Sequence, residues 1–311
     1  MRTFTFLLSL LISCALQAQH VQQKIDAASD LYDLEMYNSA LIQLEGIPED
    51  SMTIDYYHLA GGILVKIDRF DDAHEIYTQG IDRFPESSSL HTQRGGVSLG
   101  TIGQAEAAIA DYTRAVDLAE SDTVKYQMML NLAAAEAKIM DFESAYDHLF
   151  KAYLFDTTDV AVLLNLSAVA DEVGKGDQTL KFLEKALALD PSFYPIYGNM
   201  GFKYQEMGDH AKAIEMYDKV LSMNPDDPLG YSNRSFNRLK LNDVAGAFED
   251  IQRSLELYPL NSYGFKIRGL VLLKMDEQQA ACNDFERALE LGYSEQYGDE
   301  VGILKIKNCT D

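Results

Sequence analysis

Small and large apolar positions recur along this chain at a nearly fixed interval. Small residues stand at Ala40, Ala73, Ala108, Ala145, Thr179, Ala213, Ala247 and Ala281, with successive gaps of 33, 35, 37, 34, 34, 34 and 34. A period of that length defines the architecture, so it is read before any local motif. Twelve positions before each anchor the residue is again small: Ala28, Gly61, Gly96, Ala133, Ser167, Gly201, Ser235 and Gly269. Four positions after it the residue is large and apolar: Leu44, Tyr77, Tyr112, Leu149, Leu183, Tyr217, Ile251 and Phe285. Small pairs let two antiparallel helices approach closely, and the large residue fills the space between successive helix pairs. The pattern predicts eight helical hairpins and an all-α chain.

The breakers agree with this division. Pro191, Pro225 and Pro259 follow the second helix of their units at intervals of 34, and Pro85 does the same earlier. Proline has no amide to donate and cannot continue a helix. Gly174 and Gly208 fall in the turn between two helices, where a positive φ is commonly needed. The adjacent acids Asp71 and Asp72 open a predicted second helix, where they favour its N-terminal dipole.

Taken with the run Tyr197-Gly198-Asn199-Met200-Gly201 through Tyr204, Gly208, Ala213, Tyr217 and Pro225, these features resemble the tetratricopeptide repeat (TPR) family over about residues 21–293. The first and fourth units depart most, through an early Pro48 in one and Glu136 and Thr157 in the other. The resemblance implies a right-handed superhelical solenoid of about eight hairpins, with a concave groove lined by first helices. It implies protein binding in place of catalysis.

Within the first helices Asn131, Asn165, Asn199 and Asn233 recur at intervals of 34. The resemblance places them on the groove, where an amide offers both donor and acceptor to an extended peptide. Three residues further along, Ala134, Ala168, Phe202, Phe236 and Leu270 make the groove more apolar toward the C-terminus. The expected contact residues are these four asparagines with Phe202, Phe236, Lys266 and Leu270, centred on Asn199, Phe202, Asn233 and Phe236. Lys203, Arg234, Lys240, Lys266 and Lys274 do not reproduce the spacing of the carboxylate clamp found in some TPR domains. Two roles are open: an adaptor that holds a peptide or protein segment in the groove, and a structural subunit that packs into a larger envelope or secretion complex through its convex face.

The first residues carry Arg2, an apolar run from Phe4 to Ile12, and small and polar residues ending Leu16-Gln17-Ala18. They read as a secretory signal peptide over residues 1–18, cut after Ala18. A rival reading takes Leu11-Ile12-Ser13-Cys14 as a lipobox, with Cys14 lipidated and the protein held at the outer membrane. Both direct the chain to the periplasm or cell envelope. No later run reaches the 18 or so apolar residues of a membrane span. The remaining chain divides into repeats over 19–293 and a terminal cap and tail over 294–311.

Charge narrows the partners. With 49 acidic against 26 basic residues the net charge is -23, which repels nucleic acid and anionic lipid. Outside the export segment only Cys282 and Cys309 remain, and an even pair in an exported chain suggests a disulfide. A free thiol at Cys282 and a metal pair are the alternatives. The ending also resembles exported Bacteroidetes TPR proteins, in which the last helix folds back over the final hairpin. Tyr297, Val301 and Leu304 fall on one face of a helix predicted over 295–307, fit to cover the last repeat.

Catalytic chemistry finds no foothold. Histidines 20, 58, 74, 91, 148 and 210 never approach carboxylates or cysteines at metal-site spacing. Arg94-Gly95-Gly96 lacks the Gly-Lys-Ser/Thr of a phosphate loop. No cofactor or metal is expected.

Overall fold

A computed structural model describes residues 2–100 and 104–309, with side chains from residue 17 onward. The side chains before residue 17, Cys14 included, lie outside the described residues. The chain forms two compact units, one up to Thr157 and one from Thr158. No change of composition marks that division, which falls in the short turn after the fourth hairpin.

The first unit holds four hairpins: α1 (Arg2–Asp33) with α2 (Tyr37–Leu44), α3 (Ile54–Lys66) with α4 (Phe70–Arg83), α5 (Ser88–Gly100) with α6 (Ala105–Asp117), and α7 (Asp122–Lys138) with α8 (Phe142–Phe155). The second holds α9 (Val160–Ala170) with α10 (Gly176–Leu189), α11 (Tyr194–Glu206) with α12 (His210–Met223), α13 (Pro228–Lys240) with α14 (Val244–Leu257), and α15 (Ser262–Lys274) with α16 (Gln278–Glu290). Two short helices, α17 (Tyr293–Tyr297) and α18 (Glu300–Asn308), close it. Among the described residues there is no strand, and no helix is long and apolar enough to cross a membrane.

The repeat positions account for the packing. All eight anchors from Ala40 to Ala281 are buried, and so are all eight large residues from Leu44 to Phe285. The close approach is between the first small residue and the large one. A Cβ added to Gly201 would lie 2.9 Å from the Tyr217 ring, and one added to Gly269 would lie 2.5 Å from the Phe285 ring. The third hairpin corrects the sequence alignment: Gly95, not Gly96, is buried against Tyr112, where a Cβ would come within 3.1 Å. Gly95 and the anchor Ala108 are 13 positions apart, so counting back twelve stops one residue short.

Turn geometry is more regular than the glycines indicated. Gly174 and Gly208 have φ of 70° and 76°, and the equivalent places in other hairpins hold Asp68, Met140, Asn242 and Asp276 at φ of 59°, 62°, 64° and 61°. Glu35 does the same in the first hairpin at 58°. The left-handed turn belongs to the hairpin whatever residue occupies it, at a cost of about 1–2 kcal/mol where the residue has a Cβ. Helix starts are capped by side chains: Asp159, Asp209, Asp227, Asp243 and Asn261 each accept from backbone amides of the turn they open.

At the C-terminus the predicted single helix over 295–307 is two, broken at Gly298 with φ of 84°. Val301 is fully buried and Leu304 packs beside it against α16, whereas Tyr297 lies before the break with its ring tilted against that of Tyr293, centroids 4.9 Å apart. Cys282 on α16 and Cys309 after α18 stand with Cα atoms 5.7 Å apart and their sulfurs joined.

Candidate functional site

The second unit presents α9, α11, α13 and α15 as its first helices, and all the predicted contact residues but Asn131 lie on them. Asn165 and Asn199 are exposed, and their amides bond to nothing else among the described residues. Phe202, one turn beyond Asn199, is 52% exposed. Asn199 and Phe202 line one cleft of about 210 Å³ with Ala168 of α9 and Leu183 of α10. Asn165 lines a second, of about 380 Å³, whose walls are mainly Val160, Leu164 and Phe193.

The polar side of the first cleft is internally satisfied. Lys203 donates to Asp171 and lies 3.6 Å from Glu206, while Thr179 Oγ1 donates to the other Asp171 oxygen at 3.1 Å. The lysine charge is therefore neutralised within the wall. What faces outward is an aromatic ring and an uncommitted amide, a pair suited to an extended chain and ill suited to a free anion.

Other predicted contacts lie elsewhere. Phe236 is half-buried, packed against the cluster of Ala247, Ile251 and Ile267, edge-on to His210 at 6.3 Å and beneath Lys240 Nζ at 5.0 Å. Leu270 is half-buried in the apolar clusters of the last two hairpins. Asn233 is half-buried, and its carbonyl accepts from Asn237 Nδ2 at 2.8 Å. Lys266 requires a correction: it is 6% exposed and ion-paired with Glu300 at 2.7 Å, beside the rings of Tyr263 and Tyr293. The terminal helix covers it, so it cannot line an open groove. In the first unit, Asn131 is half-buried on α7.

Of the basic residues considered for a clamp, Arg234 is committed to a buried acid, as part of a pattern that recurs between hairpins. In the third, seventh and eighth hairpins an arginine just before the small residue grips an aspartate three places after the anchor. Arg94 Nε and Nη2 donate to Asp111 at 2.8 and 2.7 Å, Arg234 to Asp250 at 2.9 and 2.7 Å, and Arg268 to Asp284 at 2.8 and 2.7 Å. In the second, fifth and sixth hairpins the same two places are both apolar, as Ala60 with Ile76, Leu166 with Phe182 and Met200 with Met216, whereas the first and fourth pair an apolar residue with Gln43 and His148. Arginine in the first column always meets aspartate in the second, and comparing the columns jointly would have found the pairs. Hydrogen bonds to Asp111 and Asp284 hold Arg94 and Arg268 above the ordinary guanidinium value. For Arg234, burial acts to lower it, and the bonds to Asp250 and Asp218 outweigh that. In the fourth hairpin the unexpected Glu136 is buried with His148 Nδ1 at 2.9 Å.

Comparison with known proteins places this geometry. Two family models, both described as tetratricopeptide repeat, match residues 194–227 and 60–123. The fold is similar to that of a solved tetratricopeptide repeat protein from Parabacteroides merdae, with a TM-score of 0.64 at 16% identity over 93% of this chain and 99% of that one. It is also similar to a chain of the Cut9–Hcn1 hetero-tetramer of the APC/C, with a TM-score of 0.61 at 15% identity over 88% of this chain and 54% of that one. No curated protein matches the chain in sequence. At these identities the likeness concerns the fold.

Proposed function

The chain is a tetratricopeptide repeat protein, and from that premise we propose that it is a non-catalytic scaffold holding an extended segment of a partner protein along the first helices of its second unit. Repeats of this family generally mediate contacts between proteins. The observation that carries the reading is the cleft where exposed Phe202 and the uncommitted amide of Asn199 stand one helical turn apart.

The magnitudes assign different tasks to the two residues. A phenylalanine side chain has about 200 Å² to bury, so covering the exposed half of Phe202 contributes about 2.5 kcal/mol at 25 cal/mol per Å². An amide bonding to a peptide backbone contributes about 0.5–1.5 kcal/mol net. The ring supplies affinity and the asparagines supply register.

The proposed location is the cell envelope, supported by the basic, apolar and small-residue order of residues 1–18. The mass of the N-terminal peptide of protein isolated from cells distinguishes cleavage after Ala18 from lipidation at Cys14. Binding is tested by immobilising wild type and the Asn199→Ala/Phe202→Ala variant and identifying the proteins each retains from envelope extract. Proteins held by wild type and lost by an equally folded variant support the reading; an identical retained set contradicts it.

A further inference from the structure

The first unit contains a larger cleft, of about 570 Å³, whose chemistry is different. Its walls come from α1 and α3, with Tyr77 of α4 and Gln93 of α5 completing the lining. Asp26, Asp33 and Asp55 are exposed along it, and no lysine or arginine lines it. Among the described residues none of the three carboxylates forms an ion pair; Asp26 accepts one bond, from Gln22 Nε2 at 2.9 Å. Asp26 and Asp33 are two helical turns apart on one face of α1, about 10 Å along its axis. Three residues of an extended chain cover that distance.

A second feature of the lining points to a ligand independently of the acids. The Tyr77 side chain is 1% exposed and packed over Gly61, yet its hydroxyl meets the cleft and has no hydrogen-bond partner among the described residues. At the same repeat position in the sixth hairpin the Tyr217 hydroxyl is sealed away completely. His58, also on the wall, shares a hydrogen bond of 2.8 Å with Ser89 Oγ. Burial lowers its pKa, against a smaller raising effect of Asp55, so it brings no positive charge to the cleft at neutral pH. Nowhere among the described residues do three histidine, cysteine or acidic side chains converge closely enough to hold a metal ion. Spread carboxylates suit several spaced cations better than one ion.

The geometry points to a binding site in this cleft for an extended, lysine- or arginine-bearing segment of a partner protein, with Asp26, Asp33 and Asp55 facing its cations and the Tyr77 hydroxyl accepting an N–H from it. The site lies wholly within the first unit and stands or falls separately from the Asn199 cleft.

The test uses the full chain and a labelled octapeptide of alternating lysine and alanine, with the glutamate–alanine peptide as control, followed by fluorescence anisotropy. The lysine peptide binds and the glutamate peptide does not. Asp26→Asn/Asp55→Asn weakens binding about fivefold, the expectation for two partly screened ion pairs. Tyr77→Phe weakens it about twofold to threefold with an unchanged circular dichroism spectrum. The exposed pair Glu120→Gln/Glu143→Gln, an equal change of charge outside the cleft, leaves it unaltered. The proposal is overturned if the cleft variants bind the lysine peptide like wild type, or if the control pair weakens binding as much as they do.

Discussion

Asp284→Asn removes one charge from the eighth hairpin while keeping the shape of the side chain, and its effect separates two accounts of the arginine–aspartate pairs. Asp284 is nearly buried, with 8% of its side chain exposed, and takes both bonds from Arg268, whose side chain is 29% exposed. Removing one member of a fully buried pair costs about 3–5 kcal/mol because the other is left uncompensated. The part-exposed guanidinium recovers some hydration, so the expected loss is about 2–3 kcal/mol. The sixth hairpin holds Met200 and Met216 at the same two places. Replacing both charged residues by methionine should therefore leave stability within about 1 kcal/mol of wild type, far from the sum of two single losses. Urea unfolding supplies the comparison, and hydrogen exchange of α15 and α16 assigns the loss to that hairpin, which matters because repeat proteins need not unfold in one step. A negligible loss in Asp284→Asn, or a double variant as unstable as the two singles combined, would refute the reasoning.

Three further outcomes follow from the same packing. Met140, 75% exposed, holds a left-handed turn without glycine; Met140→Gly should raise stability in urea by about 1 kcal/mol. Tyr217→Phe removes a buried hydroxyl that has no partner, at a place where the eighth hairpin uses Phe285, and should stabilise by about 1 kcal/mol in the same assay. Cys282→Ser opens a loop of 27 positions and should destabilise the last hairpin by about 3.5 kcal/mol in the chain-entropy model, with faster exchange in α18; two free thiols in the native wild-type protein by non-reducing mass spectrometry would contradict the bridge.

The repeat was legible because buried volume is dictated locally: a small residue, a small anchor and a large ring must recur wherever two helices touch. Gly95 was displaced by one because a fixed spacing of twelve cannot register a separation of 13 positions. The left-handed turn showed only at Gly174 and Gly208: Met140 carries no sign of it, and asparagine and aspartate, as at Asn242 and Asp276, tolerate it but serve equally as helix caps. The arginine–aspartate pairs escaped because neither residue is informative alone. At the candidate site, helical spacing sufficed to put Asn199 and Phe202 together. It could not foresee that neighbouring side chains would half-bury Phe236 and Leu270, or that Glu300, 34 residues away, would fold over Lys266.

The central claim is that a partner segment lies against Phe202. A photo-reactive phenylalanine analogue placed at position 202, and separately at exposed Glu184 on α10, tests it most directly in living cells. The account predicts a discrete cross-linked protein at 202, absent at 184 and reduced by Asn199→Ala. Equal cross-linking at both positions, or cross-linking at 184 alone, would contradict it.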